Sequence, residues 1–239
     1  MNNSFIKLNL PIDIYADGPE LEEIKNFDNN IIKGYTFNPT LFRKLEIVDY
    51  LSFCKKLVNV CGKQPISLEV IADEKEEIIR QGKILSELGT SVFVKVPITY
   101  TSGLYTLEAI ESLMQSGVKL NITAIFTMEQ VKEILPILKN TNSIISLFAG
   151  RIFDIGKDAV NVVGEISKFV HNDSNCKVLW ASPRMVYDVH NAINAKCDII
   201  TMQSDLIKKL SLLNKTSEEY SLDTVKMFYN DAKKSGYSF

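Results

Sequence analysis

The sequence predicts an α/β fold, a single-domain (β/α)8 TIM barrel with an extra C-terminal helix. Short β-rich apolar runs alternate with longer amphipathic runs along the whole chain, which is typical of strand–helix units around a parallel sheet. Eight such units within 239 residues match a compact barrel, whereas a doubly wound sheet usually has fewer strands. The chain lacks a Gly-x-Gly-x-x-Gly loop and any Pro-, Ser- or Gly-rich linker. We therefore expect residues 1–239 to form one domain.

The eight β-rich runs are expected to form the strands in chain order. They are rich in Val, Ile, Phe and Thr, and turn residues or polar clusters separate them from the amphipathic runs. Their ranges are 12–16, 31–36, 65–71, 92–96, 118–125, 144–148, 177–182 and 198–202.

Two of the helical segments have recognisable ends. Residues 73–88 start with acidic side chains, carry an apolar stripe and are followed by Gly89, which we expect to end the helix in the left-handed conformation. Thr127 and Gln130 have capping-box spacing at the start of a helix that runs to about Lys139.

Two further helices are expected from amphipathic patterns. Residues 221–232 predict the extra C-terminal helix, which is followed by a polar end. The other pattern forms an apolar face closed by Gly117, and its members are Leu104, Leu107, Leu113 and Met114.

Composition and charge exclude several classes of protein. The 27 Lys and Arg residues nearly balance the 29 Asp and Glu residues, so nothing favours nonspecific binding to nucleic acid or to an anionic membrane. Four cysteines without Cys-x-x-Cys spacing and two histidines are too few ligands for a Cys/His zinc site. We expect four reduced, mostly buried thiols and no metal. With no signal-peptide pattern in residues 1–10 and no apolar run long enough to span a bilayer, we expect a cytoplasmic protein.

Polar residues interrupt the apolar runs at the carboxyl ends of successive strands. In a barrel of this kind, the catalytic groups come from these ends. An arginine follows the sixth strand, and another follows the seventh. In strand order the polar residues and the two arginines are Asp17, Asn38, Glu69, Lys95, Asn121, Thr123, Ser146, Arg151, Ser182 and Arg184.

Lys95 is the most informative member of this set. It is flanked by β-branched and aromatic residues in a central strand, and desolvation makes an amine a better nucleophile. A structural ion pair with Glu69 or Asp17 would produce the same pattern. Asn121 and Thr123 would likewise look the same as a hydrogen-bonded core pair, and the two arginines would look the same as surface arginines. The conjunction of an amine, acids, amides and guanidiniums favours Schiff-base chemistry on a phosphorylated substrate.

The ordered motifs resemble those of the transaldolase family, over about residues 12–232. Each motif alone is weak, but the ordered set is highly specific, and the short length is similar to the compact transaldolase and fructose-6-phosphate-aldolase-like branch. The motifs are Ala16-Asp17, Gly34-Tyr-Thr-Phe-Asn-Pro39, Ser67-Leu-Glu-Val70, Val94-Lys-Val-Pro-Ile-Thr99, Asn121-Ile-Thr-Ala-Ile-Phe126, Ile145-Ser-Leu-Phe-Ala-Gly-Arg-Ile152, Leu179-Trp-Ala-Ser-Pro-Arg184 and Cys197-Asp-Ile-Ile-Thr201.

The resemblance implies a role for each polar residue at the strand ends. Lys95 would form the Schiff base, Asp17 would be the acid/base in carbon–carbon bond cleavage, and Glu69 with Thr123 would hold the catalytic water. The dihydroxyacetone hydroxyls would be bound by Asn38, Asn121 and Ser146, and the phosphate would be bound by Arg151, Ser182 and Arg184.

Two positions distinguish activities within the family that the chain resembles. Fructose-6-phosphate aldolases have Gln in place of Glu69 and Tyr in place of Phe148, so both residues here match the transaldolase pattern. The resemblance therefore implies transfer of a dihydroxyacetone unit from sedoheptulose 7-phosphate or fructose 6-phosphate to an aldose phosphate. This reaction belongs to carbohydrate metabolism, in the pentose phosphate pathway. No metal or organic cofactor is implied. The alternatives are an aldolase that cleaves without an acceptor and a non-catalytic barrel scaffold.

The chain also departs from the family pattern at several positions. Leu147 replaces the usual proline after Ser146, and Gly18-Pro19 replaces a polar pair after Asp17. Phe37 and Pro183 are expected to border the pocket mouth and so to affect the choice of sugar. The resemblance further implies a homo-oligomer, a pentamer or a decamer, that forms through C-terminal helices.

Overall fold

The computed structural model describes residues 10–237, and it is a closed barrel of eight parallel strands in which each strand pairs with its neighbours in chain order. The last strand pairs with the first, so the sheet has no open edge. This confirms the predicted (β/α)8 barrel. The strands are β1 (Asp13–Asp17), β2 (Ile32–Thr36), β3 (Ile66–Glu69), β4 (Val92–Pro97), β5 (Leu120–Ile125), β6 (Ile144–Leu147), β7 (Lys177–Trp180) and β8 (Ile199–Met202).

Helices follow the strands along the chain. They are α1 (Leu21–Asn26), α2 (Pro39–Lys44), α3 (Tyr50–Cys61), α4 (Lys75–Ser86), α5 (Leu107–Gln115), α6 (Met128–Leu138), α7 (Ala149–Asp154), α8 (Ala159–Asp173), α9 (Asp188–Asn194), α10 (Ser204–Lys208) and α11 (Ser217–Ser235), with a 3-10 turn at Lys209–Leu212. The capping box of Thr127 and Gln130 at the start of α6 is confirmed. The extra C-terminal helix is also confirmed, and a capping box of Thr216 and Glu219 starts it earlier than its apolar pattern predicts.

Two local predictions about helix ends are wrong. Gly89 does not adopt the left-handed conformation, and α4 ends before it. The glycine instead allows close packing, because a Cβ there would lie 2.9 Å from the Val58 side chain. Leu104 is not on the apolar face of α5, since it lies in a turn in which it accepts a hydrogen bond from the Tyr100 amide, and it is 70 % exposed.

The lower barrel interior is filled by apolar side chains. Tyr15, Ile144, Leu179 and Ile199 form this layer. The Tyr15 ring occupies the space beside Gly34, where a Cβ would lie 2.6 Å from the ring. Leu179 of this layer also borders a cavity at the carboxyl ends, and the polar side chains two residues beyond Tyr15, Ile144 and Ile199 face the same cavity.

Two further features concern the surface and the thiols. Every described side chain of α11 is at least partly exposed. Within residues 10–237, none of the helices is sufficiently long and apolar to cross a membrane. All four cysteines are free and buried, as expected.

Candidate active site

A cavity of about 630 Å³ opens at the carboxyl ends of the strands. Most of the polar residues singled out in the sequence line it, namely Asp17, Asn38, Glu69, Lys95, Thr123, Ser146, Arg151, Ser182 and Arg184, together with Phe148 and Pro183. Asn121 is the exception, because it is completely buried beneath the cavity. With Thr201 of β8, the barrel gathers side chains from all eight strands and their loops around one space.

Lys95 lies at the centre of this arrangement. Its side chain is only 5 % exposed, although it lines the cavity. The Nζ atom is 3.0 Å from the Glu69 Oε2 atom and donates a hydrogen bond of 3.1 Å to the Phe37 carbonyl. The pairing of β3 with β4 places Glu69 directly beside Lys95. The lysine is thus both desolvated and ion-paired, and a carboxylate next to the amine is placed to exchange a proton with it.

Asp17 lies at the same end of the barrel, at the end of β1, where it pairs directly with Thr36 of β2. The Thr36 hydroxyl donates a hydrogen bond of 2.7 Å to the Asp17 carboxylate. Burial raises the pKa of the Asp17 carboxyl, and the charge of Lys95 and the Thr36 hydrogen bond oppose this effect. A carboxyl group with a raised pKa takes up a proton more readily than an ordinary carboxyl, as a group that removes and returns a substrate proton must.

A second threonine extends the hydrogen bonding of Asp17. The Thr36 and Thr201 hydroxyl oxygens are 2.5 Å apart. Because Thr36 has a single hydroxyl proton and donates it to the Asp17 carboxylate, Thr201 donates to Thr36 when Asp17 is ionised. Thr201 lines the cavity, so the two hydroxyls connect Asp17 to the β8 side of the site.

The barrel interior beneath Lys95 contains a row of hydrogen-bonded side chains. Asn121 donates to the Ser67 hydroxyl at 3.0 Å and accepts from the Ser146 hydroxyl at 2.6 Å. Asn121 thus faces the barrel interior, and its amide is a core hydrogen-bonding group. Thr123 differs, because its buried hydroxyl has no hydrogen-bond partner in the described protein. Such an orphaned group at a cavity wall is placed to bind a water molecule or a substrate atom.

The β6 side of the cavity carries an aromatic stack. The Phe148 ring is stacked on the Phe126 ring with a centroid distance of 5.7 Å. The Arg151 guanidinium lies 5.0 Å from the centre of the Phe148 ring, a cation–π arrangement that holds the ring in place.

The Arg184 guanidinium, on the β7 side of the cavity, is held by one acidic side chain. Arg184 forms a two-point ion pair with Asp154, in which the Nε atom lies 3.2 Å from Oδ1. Ser182, just before it, adopts a φ of 61°, which is unusual for a residue with a side chain. Asn38, on the opposite side, caps α2 by accepting a hydrogen bond from the Leu41 amide at 3.1 Å, so its oxygen is occupied and its amide nitrogen remains available.

One expectation about the pocket mouth is wrong. The Phe37 side chain is fully buried and packs edge-on against Phe42, because alternation along the chain at β2 directs Thr36 inward and Phe37 into the surrounding core. Only the Phe37 carbonyl contributes to the site, as an acceptor for Lys95. Pro183 does line the cavity, whereas Leu147 is buried in the core.

Several cavity residues were not singled out from the sequence, among them Thr36, Lys44 and Thr201. Thr36 and Thr201 lie within quoted motifs, and the alternation of inward positions along β2 and β8 would have indicated both. Lys44, at the end of α2, also lines the cavity, and no strand pattern points to it.

No side-chain cluster for a metal ion is found in the described part of the chain. Within residues 10–237, no group of three or more His, Cys, Asp and Glu side chains is arranged to hold one. The acids of the site are instead paired with a cation or a hydroxyl, as in the pairs Glu69 with Lys95 and Asp17 with Thr36.

Comparisons with known proteins point to one family. Residues 14–239 match the family Transaldolase/Fructose-6-phosphate aldolase. A "Probable transaldolase" of Exiguobacterium sibiricum is 33 % identical over 199 residues, which is 82 % of this chain and 89 % of the relative. Proteins with the same designation from Methanococcus vannielii and Bartonella henselae are 31 % and 29 % identical, over 82 % and 93 % of this chain and 88 % and 97 % of theirs.

Solved structures with little sequence similarity share the fold. A 2,3-dimethylmalate lyase superposes with a TM-score of 0.57 at 7 % identity, covering 95 % of this chain and 84 % of its own. A thiamine phosphate pyrophosphorylase from Pyrococcus furiosus superposes with a TM-score of 0.54 at 10 % identity, with coverages of 81 % and 86 %. At such identities the likeness concerns the barrel alone.

Proposed function

The chain belongs to the transaldolase/fructose-6-phosphate aldolase family, and from this premise we propose that it is a transaldolase that works through a Schiff base on Lys95. It transfers a dihydroxyacetone unit from a ketose phosphate, sedoheptulose 7-phosphate or fructose 6-phosphate, to an aldose phosphate. The observation that carries the proposal is the buried Lys95 amine at the cavity floor, with the Glu69 carboxylate 3.0 Å away and Asp17 on the same cavity.

The first half of the reaction forms the imine and breaks a carbon–carbon bond. After losing a proton to Glu69, the Lys95 amine adds to the ketose carbonyl carbon, and loss of water leaves a protonated imine. Asp17 removes the proton from the C4 hydroxyl, the C3–C4 bond breaks, and its electron pair flows into the imine to form an enamine. The aldehyde fragment then leaves. The orphaned Thr123 hydroxyl supports a site for the water that Glu69 uses.

The second half of the reaction reverses these steps with a new partner. The enamine carbon attacks the acceptor aldehyde, Asp17 returns the proton to the new hydroxyl, and water hydrolyses the imine. Because the imine is the electron sink, no metal is needed in this proposal. Activity that EDTA abolishes and a divalent ion restores would contradict it.

Substrate contacts are proposed from the same geometry. The Asn38 amide and the Ser146 hydroxyl line the cavity, and with Asn121 beneath they would bind the hydroxyls of the three-carbon unit. Arg151, Ser182 and Arg184 line the β6–β7 side and would bind the phosphate, since guanidinium groups present paired donors to its oxygens.

Borohydride trapping tests the proposal. Incubation with fructose 6-phosphate and borohydride should leave a reduced three-carbon adduct on Lys95, detected by peptide mass spectrometry, and Lys95→Met should remove it. Lys119, which is exposed and lies outside the cavity, provides the matched control, because Lys119→Met should trap normally. Absence of an adduct on Lys95 in folded wild type would contradict both enzyme hypotheses and favour a scaffold.

We also propose that the chain forms a homo-oligomer. The helix α11 exposes large apolar side chains, namely Tyr220, Leu222, Val225, Met227, Phe228 and Tyr229. A surface helix with this many apolar side chains exposed is typical of an interface. We propose that a second copy of the chain covers it in a homo-oligomer, a pentamer or decamer by resemblance.

A further inference from the structure

Asp188 is a buried carboxylate outside the cavity. It is only 1 % exposed and does not line the site. Its three hydrogen-bond donors are the Arg184 amide at 2.6 Å, the Met185 amide at 3.1 Å and the Asn191 Nδ2 atom at 2.9 Å. No ion pair with Asp188 is present among residues 10–237. A buried carboxylate is costly unless it is hydrogen-bonded, so these three donors are what stabilise it.

Asp188 fixes the Arg184 end of the segment that precedes it, whereas the other end is fixed by main-chain hydrogen bonds from the Asp188 amide to the Met185 carbonyl and from the Val189 amide to the Val186 carbonyl. Residues 181–187 connect β7 to α9, and within them Val186 packs against the core while the side chains of Met185 and Tyr187 are more than half exposed. Exposed side chains cannot anchor a loop by packing. One oxygen, Asp188 Oδ2, accepts both main-chain amides, so a single carboxylate holds the backbone at Arg184 and Met185.

The side chain of Arg184 is fixed separately. Its guanidinium pairs with Asp154 at the end of α7, the helix that also carries Arg151. Beneath it, Gly150 lies against the Ser182 carbonyl, and a Cβ on Gly150 would come within 3.2 Å of the Arg184 Nε atom. The backbone held by Asp188 and the guanidinium held by Asp154 together orient Arg184 beside Arg151 at the cavity wall.

We infer that Asp188 is a positioning residue, which holds the backbone of Arg184 so that its guanidinium binds the substrate phosphate. This inference rests on the proposed function in one respect, because the proposed function is what identifies the anion bound by Arg184 as a sugar phosphate. Because Asp188 acts on phosphate binding and not on the imine, its loss should raise the half-saturating concentration of a phosphorylated sugar and leave the maximal reaction rate nearly unchanged.

The experiment compares trapping of a phosphorylated and an unphosphorylated sugar. For Asp188→Ala, the fructose 6-phosphate concentration that gives half-maximal borohydride trapping should rise about tenfold, as expected when hydrogen bonds that hold a binding group are lost. Trapping of dihydroxyacetone, which has no phosphate, should be unchanged. Asp188→Asn keeps one accepting oxygen and should show an intermediate rise. Asn191→Ala removes the third donor, leaves both main-chain bonds and should match wild type.

The outcomes separate this inference from the proposed function. Equal loss with both sugars in a folded variant would indicate general damage and overturn the inference, as would an unchanged half-saturating concentration. If Asp188→Ala does not fold, the same comparison of the two sugars with Asp188→Asn tests the inference. If wild type forms no adduct with either sugar, the proposed function fails, and calorimetric binding of fructose 6-phosphate to wild type and variant then tests the inference. Weaker binding by the variant supports it, whereas equal binding or none overturns it.

Discussion

The Asp17 carboxyl has an environment that acts on stability as well as on chemistry. Burial raises its pKa above the ordinary value, although Lys95 and the Thr36 hydroxyl favour the ionised form. At pH values between the ordinary and the raised pKa, the unfolded carboxyl is ionised while the folded one keeps its proton. The folded state then binds more protons, so the free energy of unfolding falls as pH rises through this window.

A variant without this titration should therefore gain stability relative to wild type as pH rises. For Asp17→Asn, the difference in free energy of unfolding should shift in favour of the variant by at most about 1.4 kcal/mol per pH unit, starting from the ordinary Asp pKa. Urea denaturation between about pH 4 and pH 8 measures it. A difference that shifts in favour of wild type would contradict the raised pKa.

Phe148 is the residue at which transfer and simple cleavage are expected to separate. Its apolar ring, held between Phe126 and Arg151, offers no hydroxyl to protonate an enamine. Wild type should therefore form much more product from fructose 6-phosphate when erythrose 4-phosphate is present. Phe148→Tyr should raise cleavage without acceptor by about tenfold or more, because a phenol can orient water or relay its proton.

Measurement of released dihydroxyacetone and aldose phosphate checks this prediction. Phe169→Tyr, which adds the same phenol on α8 outside the cavity, should leave cleavage unchanged. Equally rapid release by wild type with and without acceptor would favour the aldolase alternative.

At the scale of elements, α7 and the end of β7 interlock through one glycine. A Cβ on Gly150 would lie 1.6 Å from the Ser182 carbonyl oxygen, which is closer than two atoms can approach. The neighbouring atoms are backbone, so a rotamer change cannot relieve the clash. The contact therefore fixes the position of the helix that carries Arg151 against the loop that carries Arg184.

Two glycine-to-alanine substitutions should consequently have opposite effects. Gly150→Ala should lower the free energy of unfolding by about 3 kcal/mol or more and weaken fructose 6-phosphate binding. Gly164→Ala, inside α8, meets only an ordinary contact of 3.8 Å to Ala195 and should raise the free energy of unfolding by about 0.5–1 kcal/mol. Chemical denaturation measures both, and a stable Gly150→Ala variant would show that the two segments separate easily.

At the scale of the whole molecule, α11 decides how the barrel associates. Val225 and Phe228 lie on one side of this helix, and Asn230 lies on the other, by helical periodicity. Phe228→Glu should dissociate the proposed homo-oligomer, because it puts a charge into an apolar contact. Asn230→Glu should leave it intact. Sedimentation velocity checks both predictions, and a monomeric wild type would contradict the proposed homo-oligomer.

Much of the fold was predictable because the same pattern of buried apolar runs recurs along the chain. Apolar runs of strand length marked all eight strands, and polar residues at their carboxyl ends marked most of the cavity lining. Parallel strands place equivalent ends at one edge, so these residues had to converge once a barrel was inferred. Tertiary packing and turn hydrogen bonds were not predictable, which is why Gly89, packed against the Val58 side chain, and Leu104, exposed in a turn, were misjudged.

The sequence by itself determined the barrel and the chemical types of residue at its mouth, whereas the tertiary structure decided which of them meet. Thr36 and Thr201 are 165 positions apart, and only the pairing of β1 with both β2 and β8 brings their hydroxyls together beside Asp17. Asp188 looks like any polar helix start in the sequence, yet the loop around Arg184 depends on it. The physical reason is that periodicity reports which side of a strand or helix is buried, while hydrogen bonds depend on distances that exist only when the barrel is closed.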